Sequence, residues 1–196
     1  ATPVLCAADF MYGNTEICTG NTVQFTDISY NTVTQRTWTF PGGTPASSTE
    51  AQPIIQYNVP GTYPVTLQVS DGVNSLSVDQ PDLIVVYADT GYAIPFNEGF
   101  ETMTSIPNEE WIVKDVDQDG TFQLTSSTAS SGSQSIMLSN TSGMVGNLDN
   151  IYSPTYDLTS AQELVITFRY AFAQRNANND DRLRFYVSNN CGATWS

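Results

Sequence analysis

Asp115, Asp117 and Asp119 stand at alternate positions just ahead of Gly120, and theirs is the residue spacing in this sequence that most directly suggests chemistry. Alternate carboxylates can converge on one hard cation while the glycine permits a sharp bend, as in the first half of a calcium loop. The second half does not follow. Position twelve of such a loop is Ser126 rather than glutamate, and no helices are predicted on either side, so an EF-hand is not expected. The same triplet also reads as an aspartate-rich turn whose carboxylates accept bonds from their own backbone. Glu109-Glu110 reads as a solvated pair.

Other chemistry is excluded by what the chain lacks. It contains no histidine, which removes the commonest general base, the usual zinc ligand and every histidine-dependent triad. No nucleophile elbow, phosphate loop or dinucleotide fingerprint occurs. The chain is therefore expected not to be an enzyme. A hydrolase built on two carboxylates is the remaining alternative, and no such pair can be placed across a cleft from the sequence.

The net charge is −14 from 6 basic and 20 acidic residues. A phosphate-binding surface needs clustered Lys and Arg, so nucleic acid is not an expected partner, and neither is an anionic membrane. No apolar run approaches the ~18 residues of a membrane span, and no leader-like start is present. The excess acid reads as solubility of an extracellular protein, or as calcium sites.

The elements that must position these residues are strands. Short alternating runs dominate the 196 residues and no long segment has a 3.6-residue apolar period, so the class is all-β, in two domains. Tyr63, Val65, Leu67 and Val69 alternate with polar residues between a Pro60-Gly61 turn and an Asp71-Gly72 turn. Val23 and Phe25, then Trp38 and Phe40, alternate inward, with Trp38 as the central core ring. Leu83 through Tyr87 forms a last strand, and residues 89–91 form a linker. Beyond it, Leu164, Ile166, Phe168, Tyr170 and Phe172 share one face, and Leu183, Phe185 and Val187 share another. Arg169, Arg182 and Arg184 point the other way, toward cross-strand pairing with Glu163, Asp180 and Asp181. Cys6 and Cys18 flank a short excursion and are expected to close a disulfide in an oxidising compartment, two buried thiols being the alternative. Cys191 is then left over, with its partner expected beyond residue 196.

The Tyr63 strand with its preceding turn, together with Val23-Gln24-Phe25-Thr26-Asp27 and Trp38-Thr39-Phe40, resembles a PKD domain over residues 1–88. This is an immunoglobulin-like module common in secreted bacterial hydrolases. It implies that Tyr63 forms a tyrosine corner. The usual acidic turn after the Trp-x-Phe strand is replaced here by Pro41-Gly42-Gly43.

Residues 92–196 carry Phe96-Asn97-Glu98-Gly99-Phe100-Glu101, Trp111, the Asp-rich turn, Ser131-Gly132-Ser133-Gln134-Ser135 and Cys191-Gly192-Ala193-Thr194-Trp195. They resemble the cleaved-adhesin jelly-roll domains of secreted bacterial proteases, including the adhesin modules of gingipains. That family normally continues for several tens of residues more, so the resemblance implies an incomplete second sandwich. It also implies a structural calcium, with Glu98 or Glu101 as the opening ligand and Asp180 or Asp181 as a later one. Together the two resemblances imply a secreted or cell-surface, monomeric accessory region of a larger hydrolase, such as a pappalysin-like metalloprotease. Its partners would be the parent's catalytic domain and a polysaccharide or extracellular protein polymer. A structural spacer is the alternative.

Overall fold

The computed structural model describes residues 6–139, 148–173 and 182–196. Every element among them is a strand, as the alternating patterns require. The first nine are β1 (Phe10–Tyr12), β2 (Glu16–Cys18), β3 (Thr22–Asp27), β4 (Gln35–Thr39), β5 (Gly43–Thr44), β6 (Ser47–Ser48), β7 (Ile54–Tyr57), β8 (Gly61–Ser70) and β9 (Ser75–Tyr87). They form two facing sheets, one in the order β1-β3-β7-β5 and the other in the order β2-β9-β8-β4-β6.

Between the sheets lie Val23 and Phe25 of β3, Trp38 of β4, Ile55 and Tyr57 of β7, and Val65, Leu67 and Val69 of β8, all buried. The inward residues are those the period-two pattern selects. Trp38 stacks on Phe40 at 5.6 Å and donates its indole hydrogen to the Glu50 carbonyl at 2.9 Å. A buried ring with a polar edge is thereby satisfied, so Trp38 is core.

Tyr63 makes the expected corner. Its hydroxyl donates to the Val59 carbonyl at 2.9 Å, and its ring packs 5.3 Å from Tyr57. Gly42, at φ 73°, lies under that ring so closely that a Cβ there would fall 2.2 Å from Tyr63 Cε1. At the far end of β8, Asp71 Oδ1 accepts the amides of Val73 and Asn74 and closes the turn with Gly72 at φ 94°.

The disulfide differs from the expected one. Cys6 is a free thiol buried in the core, and Cys18 is bonded to Cys191 with a Cα separation of 5.4 Å. The reason is register. β2 pairs in parallel with β9, Cys18 opposite Tyr87, which puts Cys18 at the sheet edge, whereas Cys6 is drawn into the apolar core beside β1. The partner of Cys191 therefore lies within the chain.

The later strands are β10 (Tyr92–Ala93), β11 (Ile112–Asp115), β12 (Gln123–Thr125), β13 (Ser135–Met137), β14 (Asp149–Tyr152) and β15 (Tyr156–Asp157). They pair as three two-stranded ladders: β10 with β15, β11 with β14, and β12 with β13. The alternation at Leu164–Phe172 and Leu183–Val187 predicts packed strands, but neither run enters a ladder among the described residues. Leu164, Tyr170 and Leu183 are exposed, with Phe168 stacked on Phe185 at 5.7 Å. An alternating run buries a face only where a second layer covers it, and among the described residues none does. Of the arginines, Arg169 donates to the Ser130 hydroxyl and Arg184 to the Tyr186 hydroxyl, while Asp180 and Asp181, two of the expected partners, fall outside the described residues.

The later strands rest on the β2–β9 edge. Val85, Tyr87 and Ile112 form a second buried cluster with Tyr152 and Cys191 against it. Glu16 ties this contact together: its carboxylate accepts from the Tyr87 hydroxyl at 3.0 Å and the Trp195 indole at 2.9 Å, with Lys114 Nζ 3.9 Å away.

Candidate functional site

Asp115 ends β11 and Asp149 begins β14, and the antiparallel register sets them directly opposite one another. Like charges at opposed ladder positions repel. The chain leaving β11 then turns through Gln118 (φ 55°) and Gly120 (φ 126°), and Asp119 joins the pair. One carboxylate oxygen from each of Asp115, Asp119 and Asp149 lies within 4.8 Å of the others. Oδ1 of Asp115 and Oδ1 of Asp149 are buried without a hydrogen-bond partner among the described residues. Burial raises the Asp149 carboxyl above its ordinary range, and the neighbouring charges of Asp115, Asp119 and Asp117 push it the same way.

The sequence-predicted acids thus separate into groups. Asp115 and Asp119 come together, whereas Asp117, between them, falls outside the cluster although its charge reaches Asp149. Asp149 was not anticipated, because no spacing around it suggests a ligand and only strand register brings it to Asp115.

Glu98 and Glu101, the opening acids that the family resemblance implies, are each engaged in hydrogen bonds. The Glu98 carboxylate accepts the Phe100 amide. Glu101 accepts the Ser133 amide, the Ser133 hydroxyl at 2.7 Å and the Gln134 amide at 2.9 Å, while Gln134 Nε2 donates back to the Glu101 carbonyl. These donors, the Ser133 hydroxyl foremost, hold the carboxyl below its ordinary range. At Gly132, φ 68°, a Cβ would lie 2.4 Å from Glu101 Oε1, so the Glu101 carboxylate would have to shift. The Ser131-Gly132-Ser133-Gln134 stretch is therefore a clasp around Glu101. Asp180 and Asp181 lie outside the described residues.

A second feature lies where the two halves meet. A cleft of about 290 Å³ is lined by Pro60, Tyr87, Tyr92, Glu109, Glu110 and Thr155, among others. The Tyr92 hydroxyl donates to Glu110, and that bond raises the phenol above its ordinary range. Glu109 and Glu110 are both exposed, and Glu110 is engaged by Tyr92 at the cleft. Two carboxylates beside aromatic rings can accept hydrogen bonds from sugar hydroxyls or from amide and ammonium groups of a polypeptide.

Residues 10–92 match the family model of the PKD domain, from the start of β1 to the first residue of β10. No curated protein matches the chain. Among solved structures, the PKD1 domain of Vibrio anguillarum Epp is 22% identical with a TM-score of 0.36, covering 43% of this chain and 98% of that one. A carbohydrate-binding module of the β-sandwich superfamily is 23% identical with a TM-score of 0.41, covering 69% of this chain, which spans 54% of that structure.

Proposed function

We propose that this chain is a non-catalytic accessory region of a secreted bacterial hydrolase, acting in substrate or surface targeting by binding protein or polysaccharide. The cleft between the halves is the observation that carries this reading, because it joins aromatic surface to hydrogen-bond acceptors at a junction of packed units. The PKD match over residues 10–92 supports an accessory role, since such modules are common in secreted hydrolases. The Cys18–Cys191 disulfide supports an oxidising, extracellular setting. Among the described residues, no helix is long and apolar enough to cross a membrane.

The parent enzyme would be a metalloprotease of the pappalysin-like group, by analogy of fold. The second half would be its adhesin-like sandwich, with residues 89–91 as the connection.

The test is retention on insoluble collagen, gelatin, chitin, cellulose and xylan, comparing the chain with Tyr92→Ala and Glu110→Gln. Retention on one polymer, lost in both variants, is the expected result. Binding unaffected by either substitution would move the site away from the cleft. No retention on any polymer would favour a spacer, a role to which the covalent clasp between the halves is suited.

A further inference from the structure

The geometry points to a calcium ion held by Asp115, Asp119 and Asp149, a site assembled by the β11–β14 register together with the turn that follows β11. Three observations lead there. First, two oxygens each ~2.4 Å from a common calcium can be no more than about 4.8 Å apart, and the three carboxylate oxygens meet that bound.

Second, Oδ1 of Asp115 and Oδ1 of Asp149 are buried with no donor among the described residues. A buried carboxylate oxygen without a partner is strongly disfavoured unless a cation or proton meets it. Lys114, the adjacent base, does not fill that role, because its ammonium turns toward Glu16.

Third, the donor set is all oxygen. The chain contains no histidine, and its cysteines are the buried thiol Cys6 and the disulfide-bonded Cys18 and Cys191, so the site selects a hard cation over zinc. Backbone carbonyls and water would complete a coordination of six to eight oxygens.

The site is also wired to the junction between the halves. The Asp115 amide donates to Asp82 Oδ2 of β9 at 3.1 Å, and β11 packs through Ile112 against Val85 and Tyr87. An ion that fixes the end of β11 therefore also fixes the strand that docks on β9.

The test is calorimetric titration of the chelator-treated chain with calcium chloride, together with thermal unfolding in calcium, in magnesium and in chelator. At calcium 100-fold above its Kd the unfolding midpoint should rise by about 5–10 °C. Asp149→Asn is the informative variant. It removes a repelling charge, so in chelator it should unfold no lower than the parent chain, yet its calcium affinity should fall at least ~10-fold, as expected for losing one charged ligand of three. Glu101→Gln should keep the full calcium response. Absence of binding heat and of any midpoint shift would overturn the proposal, as would an undiminished response in Asp149→Asn. An equal shift with magnesium would overturn the choice of calcium.

Discussion

Replacing Cys191 by serine separates the disulfide seen here from the Cys6–Cys18 pairing that spacing suggests. The bond closes a loop of sequence separation 173. In the chain-entropy treatment such a closure withholds about 5 kcal/mol from the unfolded state, whereas a Cys6–Cys18 closure would withhold about 3 kcal/mol. Urea unfolding, followed by tryptophan fluorescence and analysed as a free energy in water, should therefore show Cys191→Ser and Cys18→Ser weakened alike, by about 5 kcal/mol. The double variant should be no weaker than either single one, since both remove the same bond. A thiol count gives an independent reading. The native chain should present no reactive thiol and the urea-unfolded chain one, Cys6, which rises to two in Cys191→Ser. A reactive Cys191 in the native chain would refute the connectivity, and so would a loss below about 1 kcal/mol on its replacement, a value within the range of ordinary surface changes.

At the corner, Gly42→Ala forces both a positive φ and a contact of 2.2 Å with the Tyr63 ring, so it should destabilise the first sandwich by about 2–4 kcal/mol in the same unfolding assay. Tyr63→Phe, which loses the hydroxyl's bond shared between the Val59 and Pro60 carbonyls, should cost about 1 kcal/mol. At the Glu101 clasp, the folded carboxyl is held below its unfolded value, so its contribution is present above the unfolded value and lost as pH falls through the folded one. Amide exchange at Ser133 and Gln134, corrected for its intrinsic pH dependence, should accelerate across that acid window. Glu101→Gln should show the fast exchange already at neutral pH.

The first sandwich is legible in the sequence because each of its strands carries its own instruction. Val65, Leu67 and Val69 alternate, Pro60-Gly61 and Asp71-Gly72 bound them, and burial follows the pattern residue by residue. The acidic site is half legible. Asp115 and Asp119 belong to one local motif, but Asp149 reaches them through a ladder whose register nothing near residue 149 announces. Cys18 and Cys191 fail to announce each other for the same reason, since a contact across 173 positions depends on which sheet edge each strand occupies. The runs at Leu164–Phe172 and Leu183–Val187 show the converse. Their alternation is plain, but a pattern says which residues share a face, not what covers it.

β9 ends in Leu83-Ile84-Val85-Val86-Tyr87, every residue of which is buried, where a one-sided strand would alternate. A continuous apolar run marks a strand covered on both faces. Here Ile84 and Val86 belong to the core of the first sandwich, while Val85 and Tyr87 belong to the cluster under Ile112 and Tyr152. Cut after residue 88, the PKD-like part would be left with an apolar stripe and the unpaired thiol of Cys18 on one edge. It is therefore not a portable bead that could be shuffled unaltered into another protein. Moving it alone would expose Val85 and Tyr87 and leave Cys18 without its partner.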